Sequence, residues 1–115
     1  MSEIFEFKAE MAKMAKTWKP WAEKIAKAAK QTLGSCEVYI FGSTVKGVQT
    51  GGSDIDILIV TDRQIKSNKE RAQLKAAIEE KAGLPPIHPF EIHLTTRSEA
   101  KWYWKHIKNS YIKIL

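Results

Sequence analysis

The sequence predicts an α/β (α+β) domain in which a small mixed sheet of about three strands packs against helices. Three observations predict this fold. The N-terminal third carries an apolar stripe at helical spacing, two apolar runs flank a Gly-rich loop (residues 38–41 and 57–60), and a capped helical segment separates them from an alternating strand at residues 90–95. The absence of a repeat, low-complexity tract or linker indicates one domain over residues 1–115.

The N-terminal segment, residues 4–33, is predicted to be helical. Pro20 is tolerated if Thr17 is an N-cap and the main helix begins near Trp18, since the first turn needs no N–H from proline. Gly34 then follows the helix end at Leu33. The apolar positions recur every three or four residues and are predicted to be core rather than a partner-binding surface: Met11, Met14, Trp18, Trp21 or Ala22, Ile25, Ala29 and Leu33.

The remaining elements follow from local patterns. Strands are predicted at residues 37–41, 54–61 and 90–95, with a helical turn near residues 43–46 inside the loop 42–52. The continuous apolar run of the second strand indicates burial on both faces. Ser67 or Asn68 caps a helix that ends near Ala82, and the long connection through it allows a parallel crossover to the third strand. Ser98 is predicted to cap a last helix that offers four residues for burial: Trp102, Tyr103, Ile107 and Tyr111.

Composition limits the classes of function. The 115 residues include 19 basic and 13 acidic side chains, a formal charge of +6, which favours polyanionic partners such as nucleoside triphosphates or nucleic acid. Cys36 is the one cysteine, so no disulfide can form within the chain, and we expect a small buried residue leading into a strand, in a reducing, cytoplasmic setting. Neither a signal peptide nor an apolar run of the ~20 residues that a membrane span requires is visible.

The candidate functional residues cluster around the Gly-rich loop. Gly42-Ser43 ends the first strand, and Asp54-Ile55-Asp56 opens the second. Carboxylates at the mouth of an apolar strand are costly to desolvate without a partner, and a divalent cation is a natural one. Asp54 and Asp56 are two residues apart, so a strand directs both to the same face. Oxygen ligands of this kind suit Mg²⁺.

This two-part motif, Gly42-Ser43, ten residues, then Asp54-Ile55-Asp56, resembles the signature of the DNA polymerase beta-type nucleotidyltransferase superfamily. The short chain is similar to its minimal nucleotidyltransferases, the MNT proteins. The resemblance implies a polymerase beta-like fold and transfer of a nucleoside monophosphate, AMP being the expected one, from ATP or another NTP to an acceptor hydroxyl. It also implies two Mg²⁺ ions per site.

A third carboxylate is predicted at Glu91. Parallel strands begin at the same edge of a sheet, so Glu91, at the start of the third strand, should stand beside Asp56. The superfamily places its third acidic residue on this strand, and the resemblance therefore implies that Asp54, Asp56 and Glu91 are both the catalytic residues and the metal ligands. His93 shares the face of Glu91 and is predicted to be a packed or surface histidine rather than part of the site.

The resemblance also implies a phosphate-binding set. Gly42 allows close approach of backbone to phosphate, and Ser43 supplies a hydroxyl. Lys46 and Gly47 match a pair that is often Arg-Gly in the superfamily; lysine neutralises phosphate but lacks the bidentate fork. Ser53, directly before the acidic pair, completes the set of nucleotide-binding residues.

Two other phosphate-binding motifs do not fit the sequence well. Residues 42–47 read Gly-Ser-Thr-Val-Lys-Gly and lack the Gly-Lys-Ser/Thr ending of a P-loop. A dinucleotide-binding fold is disfavoured because its glycines should precede a helix that directly follows the first strand.

The acceptor and the partners are not specified by the motif. Little chain remains to bind an acceptor, so another chain or a second copy in a homo-oligomer should provide that site. Resemblance to MNT proteins implies a HEPN-type toxin ribonuclease that this chain, as antitoxin, adenylylates or masks. Two alternatives stand beside this: a protein-binding module that acts by contact alone, and a nucleic-acid binder that uses the aromatic and basic residues 101–106. The nucleic-acid binder is disfavoured because the aromatic residues in this segment are predicted to form the inner face of the last helix.

Overall fold

A computed structural model of the chain describes residues 2–47 and 54–115. Within these ranges the order of elements is α1 (Ser2–Lys16), α2 (Trp18–Leu33), β1 (Cys36–Phe41), α3 (Ser43–Lys46), β2 (Ile55–Thr61), α4 (Asn68–Lys81), β3 (Phe90–Thr96), α5 (Arg97–Ile107) and β4 (Tyr111–Lys113). None of the helices in these ranges combines the length and the apolar character that crossing a bilayer requires.

The strands form one mixed sheet in the order β3-β2-β1-β4. β2 and β3 are parallel and are joined through α4, which confirms the predicted crossover, whereas β1 is antiparallel to both of its neighbours. Within the described residues the sheet has four strands rather than about three. Lys108 has a φ of +55°, which ends α5, and Tyr111 therefore lies on β4 instead of on the last helix.

The break between α1 and α2 falls where the sequence predicts it. Thr17 separates the helices and Pro20 lies in the first turn of α2, but the Thr17 hydroxyl donates back to the Lys13 carbonyl at 2.9 Å and does not cap α2. Gly34 follows α2 with a φ of +81°. The predicted stripe is core from Met14 onward, and α2 buries six residues: Ala22, Ile25, Ala26, Ala28, Ala29 and Leu33.

The two faces of the sheet bury different sets of residues. One face packs against α2 and α4 and includes Ile40, Ile57 and Ile59. The other face packs against α5 through a smaller cluster: Tyr39, Leu58, Val60, Ala100 and Ile107. β2 contributes to both clusters, which confirms its predicted burial on both faces and explains its unbroken apolar run.

The start of α5 corrects one prediction. Thr96, not Ser98, is the N-cap: the Thr96 hydroxyl accepts from the Glu99 N–H, and the Glu99 carboxylate accepts from the Thr96 N–H. This reciprocal capping box needs the Thr-x-x-Glu spacing, which begins at Thr96. Arg71 of α4 donates to both Glu99 carboxylate oxygens, at 3.1 and 2.7 Å, and so ties the two helices together.

The aromatic segment of α5 is divided between the sheet and solvent. Ile107 is buried and Tyr103 is half-buried, as predicted. Trp102 is 61% exposed, so its predicted burial is wrong; it projects from the outer side of α5 and its ring lies 4.4 Å from that of His106. An 11-residue helix on a sheet buries only one side, and Trp102 falls outside it.

Candidate functional site

The parallel pairing of β2 and β3 places two carboxylates side by side. Asp56 is the register partner of Glu91, near the start of both strands. Asp56 alternates with the buried Leu58 and Val60, and therefore lies on the sheet face that α5 covers. The structure thus brings Glu91 next to Asp56 at the edge where both strands begin, with β3 as the outermost strand on that side.

His93 joins these carboxylates. Its Nε2 atom lies 3.3 Å from Asp56 Oδ1 and 3.8 Å from Glu91 Oε1. All three side chains offer ligand atoms that lie within 4.8 Å of one another. The sequence predicts a packed or surface histidine at His93, outside the site, although the spacing of two residues from Glu91 indicates that both share a face. What the sequence did not provide was the direction of the imidazole ring.

The ring direction is set by neighbours on β1 and α5. His93 Nδ1 lies 3.2 Å from the Tyr103 hydroxyl, and the ring packs against the Phe41 and Tyr103 rings at centroid distances of 5.4 and 5.3 Å. Burial raises the pKa of Tyr103, so its phenol stays neutral. Because Nδ1 is engaged by Tyr103, Nε2 is left to face the carboxylates.

Gly42 connects the two halves of the motif. Its φ of +83° and ψ of −151° belong to a region that is almost restricted to glycine. A Cβ atom at this position would lie 2.5 Å from Asp56 Oδ2, far inside van der Waals contact. The Asp56 carboxylate therefore occupies the space that a side chain at residue 42 would fill.

The other predicted site residues lie outside the group formed by Asp56, Glu91 and His93. Ser43 is half-buried and begins the single turn α3, Lys46 is exposed at its end, and Gly47 terminates it with a φ of +70°. Asp54 directly precedes β2 and is exposed, and it does not belong to the group formed by Asp56, Glu91 and His93. Ser53 lies outside the described residues.

The donor set fits a divalent cation. Two carboxylates and an imidazole nitrogen are three ligand groups of the kinds that hold octahedral ions. Ligand atoms at right angles around an ion with bonds of about 2.1 Å lie about 3 Å apart. The 3.3 Å between His93 Nε2 and Asp56 Oδ1 is close to that value. The Asp56 and His93 side chains are 26% and 20% exposed, so the group is open to solvent on one side.

Comparison with known proteins shows what the chain is similar to. Residues 22–114 match the model of a family described as nucleotidyltransferase domain. A crystal structure of a protein provisionally named a nucleotidyltransferase is 30% identical, with a TM-score of 0.60, over 77% of this chain and 91% of that one. No curated protein matches the chain in sequence.

Two more distant structures share the fold. One is a protein from Sulfolobus solfataricus, also provisionally named a nucleotidyltransferase, with 20% identity and a TM-score of 0.59 over 95% of this chain and 83% of that one. The other is a toxin–antitoxin structure with AMP-PNP, with 21% identity and a TM-score of 0.56 over 80% of this chain and 70% of that one.

Proposed function

Because the chain belongs to the nucleotidyltransferase domain family and is a transferase of that type, we propose that it moves AMP from ATP to an acceptor hydroxyl at the site around Asp56. The observation that carries this proposal is the pairing of Asp56 with Glu91 on parallel strands, with Gly42 leaving room for the Asp56 carboxylate. This arrangement joins the two halves of the sequence motif at one edge of the sheet.

In the proposed reaction the acceptor oxygen forms a bond to the α-phosphorus of ATP. The bond from that phosphorus to the bridging oxygen of the β-phosphate breaks, pyrophosphate leaves, and the hydroxyl proton passes to solvent. Asp54 and Asp56 would hold one Mg²⁺ ion and Asp56 and Glu91 a second, since oxygen ligands suit this ion. Two ions bound there would neutralise charge on the triphosphate and lower the pKa of the acceptor hydroxyl.

The loop residues are assigned to the triphosphate. The Ser43 hydroxyl and the amides at Gly42 would bind β- and γ-phosphate oxygens, because the short turn α3 begins beside Asp56. Lys46, exposed at the end of α3, would add positive charge. Gly47 ends the turn in a left-handed conformation, and Ser53 is assigned to the same set through the motif.

We further propose that the acceptor lies on a protein partner. The toxin–antitoxin structure with AMP-PNP shares this fold and supports a nucleotide-dependent antitoxin role. A HEPN-type toxin is the proposed partner, and a second copy of this chain is the other source of an acceptor site.

Transfer is tested with ATP labelled on the α-phosphorus, Mg²⁺ and a co-expressed HEPN-type protein. We expect the α-label, but not a γ-label, to appear on protein, because only the nucleoside monophosphate is retained. Asp56→Asn should lower labelling at least about 100-fold, the scale on which loss of one electrostatic contact to a transition state acts.

Asp62→Asn is the matched control. Asp62 directly follows the same strand, is 51% exposed and pairs with Arg97 at 2.7 Å, so its loss removes surface contacts to Arg97 and Ser35. Labelling by this variant should equal that of the wild type. Absence of α-label under conditions in which ATP binds would remove the enzymatic proposal. If Asp56→Asn neutralises the partner as fully as the wild type does, the protein acts by contact alone.

A further inference from the structure

We propose that His93 is a direct metal ligand beside Asp56 and Glu91, and that it makes the site prefer divalent first-row transition ions, of which Mn²⁺ is the probe used below, to Mg²⁺. The inference rests on the metal site of the proposed function and goes beyond it, because it names the class of ion. Carboxylates alone suit Mg²⁺, Ca²⁺ and Mn²⁺ alike, whereas imidazole nitrogen favours first-row transition ions. One nitrogen among oxygen donors therefore favours first-row transition ions over Mg²⁺, and Mn²⁺ is the member of that class whose binding is read by electron paramagnetic resonance.

The position of His93 follows from the alternation of β3. Glu91 and His93 are two residues apart on the same face, and the register partner of His93 is Leu58, one face position further along β2 than Asp56. The imidazole is long enough to reach back over this step. Its Nε2 atom lies 3.3 and 3.8 Å from the nearest oxygens of Asp56 and Glu91, so one ion can contact all three groups.

The orientation of the imidazole is supported by a second layer of contacts. With an ion on Nε2, the proton of the neutral ring resides on Nδ1 and is donated to the Tyr103 hydroxyl, 3.2 Å away. Metal-bound histidines commonly donate their second nitrogen in this way, which fixes the tautomer and the ring direction. Phe41, packed on the ring at 5.4 Å, restricts its rotation. Tyr103 is thus a positioning residue for His93.

The same contacts allow a simpler arrangement in which His93 only hydrogen-bonds to Asp56. The two arrangements differ in whether nitrogen enters the coordination sphere. Pulsed electron paramagnetic resonance of the full chain with Mn²⁺ measures this directly. We expect modulation from a coordinated ¹⁴N nucleus in the wild type, altered when the histidines carry ¹⁵N and absent in His93→Gln.

Affinities give the second readout. In titrations followed by the signal of free Mn²⁺, with Mg²⁺ as competitor, the wild type should bind Mn²⁺ at least about tenfold more tightly than Mg²⁺. His93→Gln, which removes a ligand, should weaken Mn²⁺ binding by at least about 100-fold, more than the loss of an outer partner does, and Mg²⁺ binding by less than about threefold. Tyr103→Phe should weaken Mn²⁺ binding in the same direction by a smaller factor. His106→Gln is the matched control, because His106 is exposed and contacts the Trp102 carbonyl, away from the carboxylates.

The inference is overturned if Mn²⁺ binds in an Asp56-dependent manner without nitrogen modulation, or if His93→Gln and His106→Gln retain equal preference for Mn²⁺. The wild-type spectrum decides the matter even where a variant fails to fold. Transfer of the α-label is measured separately with Mg²⁺. Label transfer without nitrogen coordination therefore refutes the role of His93 alone, and nitrogen coordination without label transfer refutes the proposed function alone.

Discussion

Replacing Gly42 with alanine tests whether the loop and the acidic strand form one site. The alanine Cβ would lie 2.5 Å from Asp56 Oδ2, and the carboxylate would have to move by about 1 Å to reach the 3.4 Å at which ordinary contact begins. A displacement of that size at a reacting centre costs about 100-fold in rate. The unusual backbone conformation adds about 1–3 kcal/mol of strain to the folded state.

Gly34→Ala separates these two effects. Gly34 has a similar backbone conformation, with φ +81° and ψ −132°, but a Cβ atom there meets nothing within 4 Å. Both variants should lose comparable free energy of unfolding in urea. Only Gly42→Ala should lose transfer of the α-label from ATP, by about 100-fold. Wild-type transfer by Gly42→Ala, or an equal loss in both variants, would refute the claim that Gly42 makes room for Asp56.

Two further predictions concern the stability of the fold. Burial, followed by the hydrogen bond to Glu37, raises the pKa of Tyr39 to about 12 from 10.0, so the stability that protonated Tyr39 contributes is complete below pH 10 and is lost as the pH rises towards 12. Unfolding measured across that window should show the loss in the wild type and a smaller one in Tyr39→Phe; identical pH profiles would contradict it. Ile59→Val, at a fully buried position, should cost about 0.5–1.5 kcal/mol in urea unfolding. The same exchange at Ile112, which is 37% exposed on β4, should change stability by less than about 0.5 kcal/mol, and equal effects would contradict the assigned packing.

Much of the fold is predictable because strong local signals agree with the tertiary structure. Pro20 requires a helix start close before it, and the break at Thr17 supplies one. The unbroken apolar run of β2 requires cover on both faces, which α2, α4 and α5 provide. β4 escapes prediction because three residues are too few to show a period and because the left-handed residue Lys108, which ends α5, is not a glycine.

The site is predictable as far as strand alternation reaches. Alternation and the parallel crossover together place Glu91 beside Asp56. They also place His93 on the same face, but the direction of its ring depends on Tyr103, which comes from a different element. The packing of α5 over the sheet is a tertiary contact, and the residue spacing within β3 does not predict it.

One alignment of β2 with β3 sets both the packing of the apolar core and the positions of the site residues. A slip of one residue between these strands would turn Glu91 and His93 away and bring Phe90 and Ile92 out into water. Burial of the apolar face therefore disfavours a one-residue slip, which would also separate the polar side chains. Substitutions that weaken the packing of this apolar face are therefore expected to disturb the alignment of Asp56, Glu91 and His93 as well as the stability of the sheet.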